Sequence, residues 1–303
     1  LRVAVLRRKM KRLKVSDVFA REEITTADAL STRWGFSPTM IDRFFRPFLG
    51  GITLDPDLHA SSRMFEFVFK MFSEGRATLP AGGMQSLPDL IAAPLPTGSV
   101  RLNTAVARIE ESSVILESGE RIDASAVIVA THAPAAERLG VISDTPATPT
   151  SGLGEVCFYY AAPSSPTDGP TLVLNGTGDG PITNLSVPSD VAPGYAPRGE
   201  SLVCVVVVGL PDEADEVLQQ RVRAQLGRWY GPITAEWRML RSYRIAYGLP
   251  DQAPPFLSPR DADVRVRPGL YRCGDWAATA SINGAMRSGR RAAEALAADL
   301  AAA

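Results

Sequence analysis

The residues best suited to chemistry lie near the C-terminal end, in LYRCGDWAATASINGAMRSGRRAAEALAADL from Leu270 to Leu300. Asp275 directly follows Gly274 and is a short acceptor suited to sugar-type hydroxyls. Ser281-Ile282-Asn283-Gly284-Ala285 then reads as the start of a helix. The first turn of a helix carries unsatisfied N–H groups and a partial positive charge, so an anion or an electron-rich carbonyl fits there. Gly284 and Gly289 cost helix propensity but let the helix approach a backbone or a flat ligand closely. These are binding features. No acid or base stands out as catalytic.

Other chemistries have little material. His59 and His132 are the only histidines, so zinc-hydrolase and Ser-His arrangements find no support. Cys157, Cys204 and Cys273 are odd in number and widely spaced. They give no metal or disulfide pattern and suit a reducing compartment, which places the expectation in the cytoplasm. A formal net charge of -1 lacks the basic surplus of a nucleic-acid binder. With 303 residues, 45% hydrophobic and 21% charged, the chain reads as globular and long enough for about two domains. No apolar run approaches the roughly 18 residues of a membrane span. The first segment, LRVAVLRRKMKRLKV, is basic without an acid. It reads as a solvated helix face or connector in preference to a membrane-surface contact or a targeting remnant.

The elements that must position the C-terminal residues follow from pattern. A strand from Leu270 to Cys273 precedes the turn. The helix after it has a small and apolar face at Ala285, Gly289, Ala292, Leu296 and Leu300. Ala126 to Ala130 is a short continuous apolar run, expected as a parallel strand buried on both faces. NTAVARIE, SSVILES and RIDA before it read as a meander. Residues 25–75 read as helical, with Ser37-Pro38 and Ser61-Ser62 as starts and Gly75 as a stop. In the last of these helices, RMFEFVFKMFSEG is apolar nearly all round, which predicts a buried helix or the wall of an apolar cavity. Residues 151–250 read mostly as strands interrupted by one helix, capped by Asp212 and carrying Val217, Leu218, Val222 and Leu226 as its stripe. Strand runs with segregated helices predict an antiparallel sheet. Asn175 to Gly180, NGTGDG, precedes a strand and reads as a hairpin turn, not a phosphate loop.

Gly274-Asp275, Ser281 to Ala285, Ser288-Gly289 and Ala292-Ala293 together resemble the C-terminal flavin-binding motif of the flavin amine oxidase superfamily. The likeness is nearer to its carotenoid (phytoene) desaturase and protoporphyrinogen oxidase branch. RFFRPFLGGITLDPDLHASSRMFEFVFKMFSEG, LPAGGMQSLPDLI, ATHAPAAERL and YRIAYGLPDQAPP resemble further segments of it. The resemblance implies FAD as cofactor. It places Asp275, after Gly274, on the ribityl chain and the backbone of Ser281, Ile282, Asn283, Gly284 and Ala285 at the flavin ring and pyrophosphate. The backbone of Val106 is implied at the adenine, with Thr131, Ala133, Tyr243 and Tyr247 near cofactor or substrate. Ile282 stands where amine oxidases proper place an aromatic residue, and an aliphatic side chain cannot steer an amine through its π face. An apolar substrate is therefore expected.

The implied fold class is α/β (α+β): a partial FAD-binding Rossmann-like domain plus a substrate domain of antiparallel sheet and helices. Residues 1–75 would be the helical part of the substrate domain and 76–150 an FAD-binding segment. Residues 151–250 would be the antiparallel sheet and 251–303 the C-terminal FAD-binding segment. No Gly-x-Gly-x-x-Gly strand–helix unit is present. The expectation is thus a C-terminal portion of a longer flavoprotein, active only as part of that longer chain. The basic first segment and the Phe-rich helix together support a third reading, a peripheral membrane contact, so a membrane-associated or plastid setting stands beside the cytoplasmic one. The alternative is a cofactor-free remnant or subunit that binds a hydrophobic ligand or a partner chain.

Overall fold

The computed structural model describes residues 2–111, 113–142, 151–258 and 260–302. The division drawn at residue 150 lies outside these residues. The N-terminal part is helical. Helix α1 (Arg2–Arg12) turns its basic residues outward and buries Leu6 and Met10. It packs on α2 (Ser62–Glu74), whose N-cap Ser61 accepts the Arg63 amide. Between them the chain from Thr26 to Thr53 runs in short helical pieces, with Ser37 capping the one that opens at Pro38. Leu6, Met10, Leu30, Phe36, Phe45, Leu49, Phe65 and Phe69 form one core. At about 25 cal/mol per Å² of apolar surface, such aromatic burial is the main force holding the layer together.

Helix α2 departs from the pattern reading in one respect. Glu66 and Lys70 are buried, while Phe72 lies 41% exposed. The cause is pairing. Arg21 reaches the Glu66 carboxylate at 2.8 Å and Arg33 at 3.3 Å, and the Trp34 indole N–H donates to it at 3.2 Å. A buried carboxylate is tolerated when its desolvation is offset in this way. Apolar periodicity cannot reveal such a cluster, because its cations come from other segments.

The first sheet is the meander β1 (Val106–Ile109), β2 (Ser113–Leu116) and β3 (Arg121–Asp123), antiparallel throughout. Next comes β4 (Val127–Val129). Five further strands form an antiparallel sheet: β5 (Gly152–Ala162), β6 (Val173–Leu174), β7 (Asn184–Ser186), β8 (Ser201–Val208) and β9 (Arg238–Pro250), in the order β6-β7-β8-β5-β9. Helix α3 (Asp215–Tyr230) covers one face of it. Side chains alternate across a strand. Val156, Phe158, Tyr160, Val203, Val205 and Val207 therefore meet Leu218, Val222 and Leu226 of α3 on that face. Glu155, Cys157 and Tyr159 point the other way, with Cys204 of β8 and Tyr243 of β9 as cross-strand neighbours.

The expected cap of α3 is corrected: the helix starts at Asp215 with Ala214 at the N-cap and no side-chain cap. Asp215 instead pairs with Arg244 of β9 at 2.7 Å. NGTGDG is a hairpin loop between β6 and β7. Gln225 of α3 fixes it, accepting the Ile182 amide at 2.9 Å and donating to the Asp179 carbonyl at 2.6 Å.

The third sheet has the order β10-β11-β4, with β10 (Arg265–Arg267) and β11 (Leu270–Arg272). Strand β11 pairs with β4 in parallel, Leu270 opposite Val127 and Arg272 opposite Val129. The parallel pairing agrees with the sequence reading, but burial on both faces does not. Strand β4 is at the edge, and Val127 and Ile128 are only half-buried. Helix α4 (Ile282–Ala302) closes the chain and packs Ala292 and Ala295 on Tyr271 and Cys273. Among the described residues no helix is long and apolar enough to cross a membrane.

Candidate functional site

Because β4 and β11 run in parallel, their C-terminal ends open at the same edge. Ligands of open α/β sheets bind there. The chain leaving β4 supplies Thr131 and His132; the chain leaving β11 supplies Gly274 to Ser281. The Cys273 amide donates to the Val129 carbonyl at 2.9 Å, and the Trp276 indole N–H to the Thr131 carbonyl at 2.9 Å. Two bonds thus lock the strand ends together. A Cβ on Gly274 would stand 2.3 Å from the Trp276 indole nitrogen, so only glycine admits the ring. Ser288, on α4, receives the Gly274 amide at 3.0 Å and reaches its carbonyl at 2.8 Å, which fixes the turn against the helix.

The start of α4 is equally constrained. Ser281 accepts the Gly284 amide on Oγ at 3.0 Å and the Ala285 amide on its carbonyl at 2.9 Å. The amides of Ile282 and Asn283 find no partner among the described residues, and both residues are exposed. A Cβ on Gly284 would lie 1.8 Å from the Thr279 carbonyl oxygen, so the helix starts against the backbone of the turn.

Asp275 sits between these ends. Burial raises its carboxyl above the ordinary range, against the pull of the Trp276 amide and the nearby His132. Tyr247 of β9 comes in from the five-stranded sheet, its ring 5.5 Å from His132 in an edge contact. Its hydroxyl is buried with no hydrogen-bond partner among the described residues. Burial and the Asp275 charge hold the phenol well above its ordinary pKa, against a weak pull from the Ala133 amide that falls short of hydrogen-bond geometry. A buried polar group left without a partner is rare and calls for a ligand or water. This hydroxyl, the free amides of α4 and the Asp275 carboxylate make a donor and acceptor set that fits a flavin nucleotide.

Val106 lies on β1, 38% exposed, and lines a cavity of about 730 Å³ together with Val127, Val129 and Thr131. Thr131 belongs both to this cavity and to the Trp276 contact. The structure therefore brings Gly274, Asp275, Ser281, Ile282, Asn283, Gly284 and Ala285 together at one turn and connects Val106 to them along β4. Ala133 is buried beside the same strand end, while Tyr243 lies farther along β9.

The small-residue face of α4 is corrected by about one position. Gly284, Ser288, Ala292 and Ala295 are buried, and Leu300 is exposed. Ala292 alone is common to both readings as a buried residue. The clamp by Ser288, the indole bridge of Trp276 and the edge contact of His132 were not singled out as site features. Only the Ser288 spacing after Gly274 offered a signal, since the other two depend on how strands meet. Among the described residues no cluster of His, Cys, Asp and Glu is placed to hold a metal ion.

Comparison with known proteins adds the family. The model of the family described as flavin containing amine oxidoreductase matches residues 2–297. No curated protein matches the chain. Solved structures share its fold at low identity. An oxidoreductase from Methanosarcina mazei is 16% identical with a TM-score of 0.71, over 97% of this chain and 72% of that one. A protein assigned as a protoporphyrinogen oxidase from Exiguobacterium sp. 255-15 is 19% identical with a TM-score of 0.67, over 95% and 69%. A putrescine oxidase bound to putrescine is 16% identical with a TM-score of 0.65, over 98% and 75%.

Proposed function

This chain belongs to the flavin-containing amine oxidoreductase family, and from that premise we propose that it is an FAD-dependent oxidoreductase that removes hydride from an apolar substrate. The observation that carries the reading is the turn from Gly274 to Ala285. There a half-buried carboxylate, two unused helix amides and an orphaned tyrosine hydroxyl converge at the ends of two parallel strands.

In this reading Asp275 accepts hydrogen bonds from the ribityl hydroxyls, as a short acceptor at a fixed turn can. Gly274 and Gly284 let the Trp276 ring and the Thr279 backbone close on the turn, which fixes the backbone that would meet the cofactor. The amides of Ile282 and Asn283, with the dipole of the long helix α4 behind them, hold negative charge at the ring. Tyr247 offers its unpaired O–H to the same ligand. Val106 lies where the far end of a dinucleotide would reach along β4. When bound, the flavin supplies the hydride acceptor, and the chain's part is to orient it and exclude water.

The apolar class of the substrate rests on Ile282, whose exposed aliphatic side chain stands at the mouth of the turn. It gives an ammonium no π face to rest on. The test is anaerobic mixing of FAD-loaded protein with a neutral polyene and, separately, with a primary diamine. Bleaching of the visible flavin band by the polyene alone is the expected result. Bleaching by the diamine alone would overturn the substrate assignment.

A further inference from the structure

The face of the five-stranded sheet turned away from α3 carries its own cavity. It holds about 520 Å³, within the range of small-molecule sites. Cys157, Tyr159, Leu202, Tyr243 and Ile245 form apolar walls, with Arg241 at the rim. Tyr159 and Tyr243 meet edge to face at 5.8 Å across β5 and β9 and together make one aromatic wall. Tyr243 and Ile245 stand at alternate positions of β9, opposite Cys157 and Glu155, and so share one face.

Arg241 differs from the other arginines of β9. Arg238 pairs with Glu200 at 3.4 Å. Arg244 pairs with Asp215 and donates to the carbonyls of Pro211 and Glu213. Arg241 has no carboxylate or carbonyl partner among the described residues; its guanidinium rests 5.2 Å over the Tyr243 ring. That contact holds the planar fork at the rim with its donors unused. The one acid on the same face, Glu155, is partly buried beside Cys157, and burial raises its carboxyl, which weakens it as a seat for a cation.

We propose that this cavity binds an apolar molecule bearing a carboxylate, with the carboxylate on Arg241 and the apolar body against the wall made by Tyr159 and Tyr243. Planar bidentate recognition of a carboxylate is what a free guanidinium does best. Calling this molecule the substrate rests on the oxidoreductase reading above; the binding preference itself does not depend on flavin.

The test uses the full chain and three probes with one ring system: indole-3-acetate, indole-3-acetamide and tryptamine, each titrated calorimetrically. The acid is expected to bind about tenfold more tightly than the amide, and the amine more weakly than either, since a charge-assisted pair is stronger than a neutral one. Arg241→Gln is expected to remove the acid's advantage and leave the amide unchanged. Arg241→Lys is expected to keep part of it. Tyr243→Leu is expected to weaken acid and amide alike. Equal binding of acid and amide, tightest binding of tryptamine, an unchanged preference in Arg241→Gln, or no binding of any probe would overturn the proposal. FAD titrated into the same samples separates the two readings. Loss of the acid preference with flavin bound counts against this cavity alone; an intact preference without flavin binding counts against the flavin reading alone.

Discussion

At Gly284 one hydrogen atom decides whether α4 can start where it does. Alanine there would drive its Cβ into the Thr279 carbonyl, and the turn would have to open. Overpacking of this kind costs about 1–3 kcal/mol, so urea denaturation of Gly284→Ala should show a loss in that range together with weakened FAD binding. Ser288→Ala should cost about 1–3 kcal/mol, because the Gly274 amide is left without its acceptor; the same denaturation series checks it. Gly284 and Asp275 stand out in the sequence through the resemblance of Gly274-Asp275 and Ser281 to Ala285 to a flavin-binding motif. Ser288 was visible only as a spacing. Its role depends on the helix folding back on the strand end, which local pattern does not encode.

Among the elements, α2 and α4 are held by polar contacts at their buried and terminal positions. Glu66 holds Arg21, Arg33 and Trp34 against α2. Glu66→Ala should destabilise the helical layer by about 3 kcal/mol, since removing one member leaves the two guanidiniums uncompensated; thermal and urea unfolding would report it. The last turn of α4 is tied to the third sheet by Asp299, which takes bonds from Arg265 and from the Tyr271 hydroxyl. Arg265 first and Tyr271 second draw its carboxyl from the ordinary 3.8 down to about 2. A depressed carboxylate contributes stability at pH above its unfolded value and loses it as pH falls through the folded one. Asp299→Asn should therefore lower stability at neutral pH and flatten its fall between about pH 4 and 2, measured by unfolding at stepped pH. Apolar periodicity located both helices. It missed the charged inner face of α2 and displaced the buried face of α4 by about a residue, because Gly284 and Ser288 are buried for close approach and hydrogen bonding and not for hydrophobicity.

For the whole molecule, the parallel pair β4–β11 and the antiparallel five-stranded sheet meet where Tyr247 touches His132, so the candidate site lies at the junction of two sheets. The α/β architecture was legible because strand runs, a segregated helix and a strand–turn–helix terminus each carry a local signature. The edge position of β4 was not, since an apolar run of that length looks the same at an edge and in a centre. The central claim is that the turn from Gly274 to Ala285 holds a flavin, and its most direct test is the visible absorption spectrum of the chain after incubation with FAD and removal of free cofactor. A retained, perturbed flavin spectrum that disappears in Asp275→Ala is the predicted result. A protein that stays folded and retains no flavin, or an Asp275→Ala variant that retains it unchanged, would contradict the account.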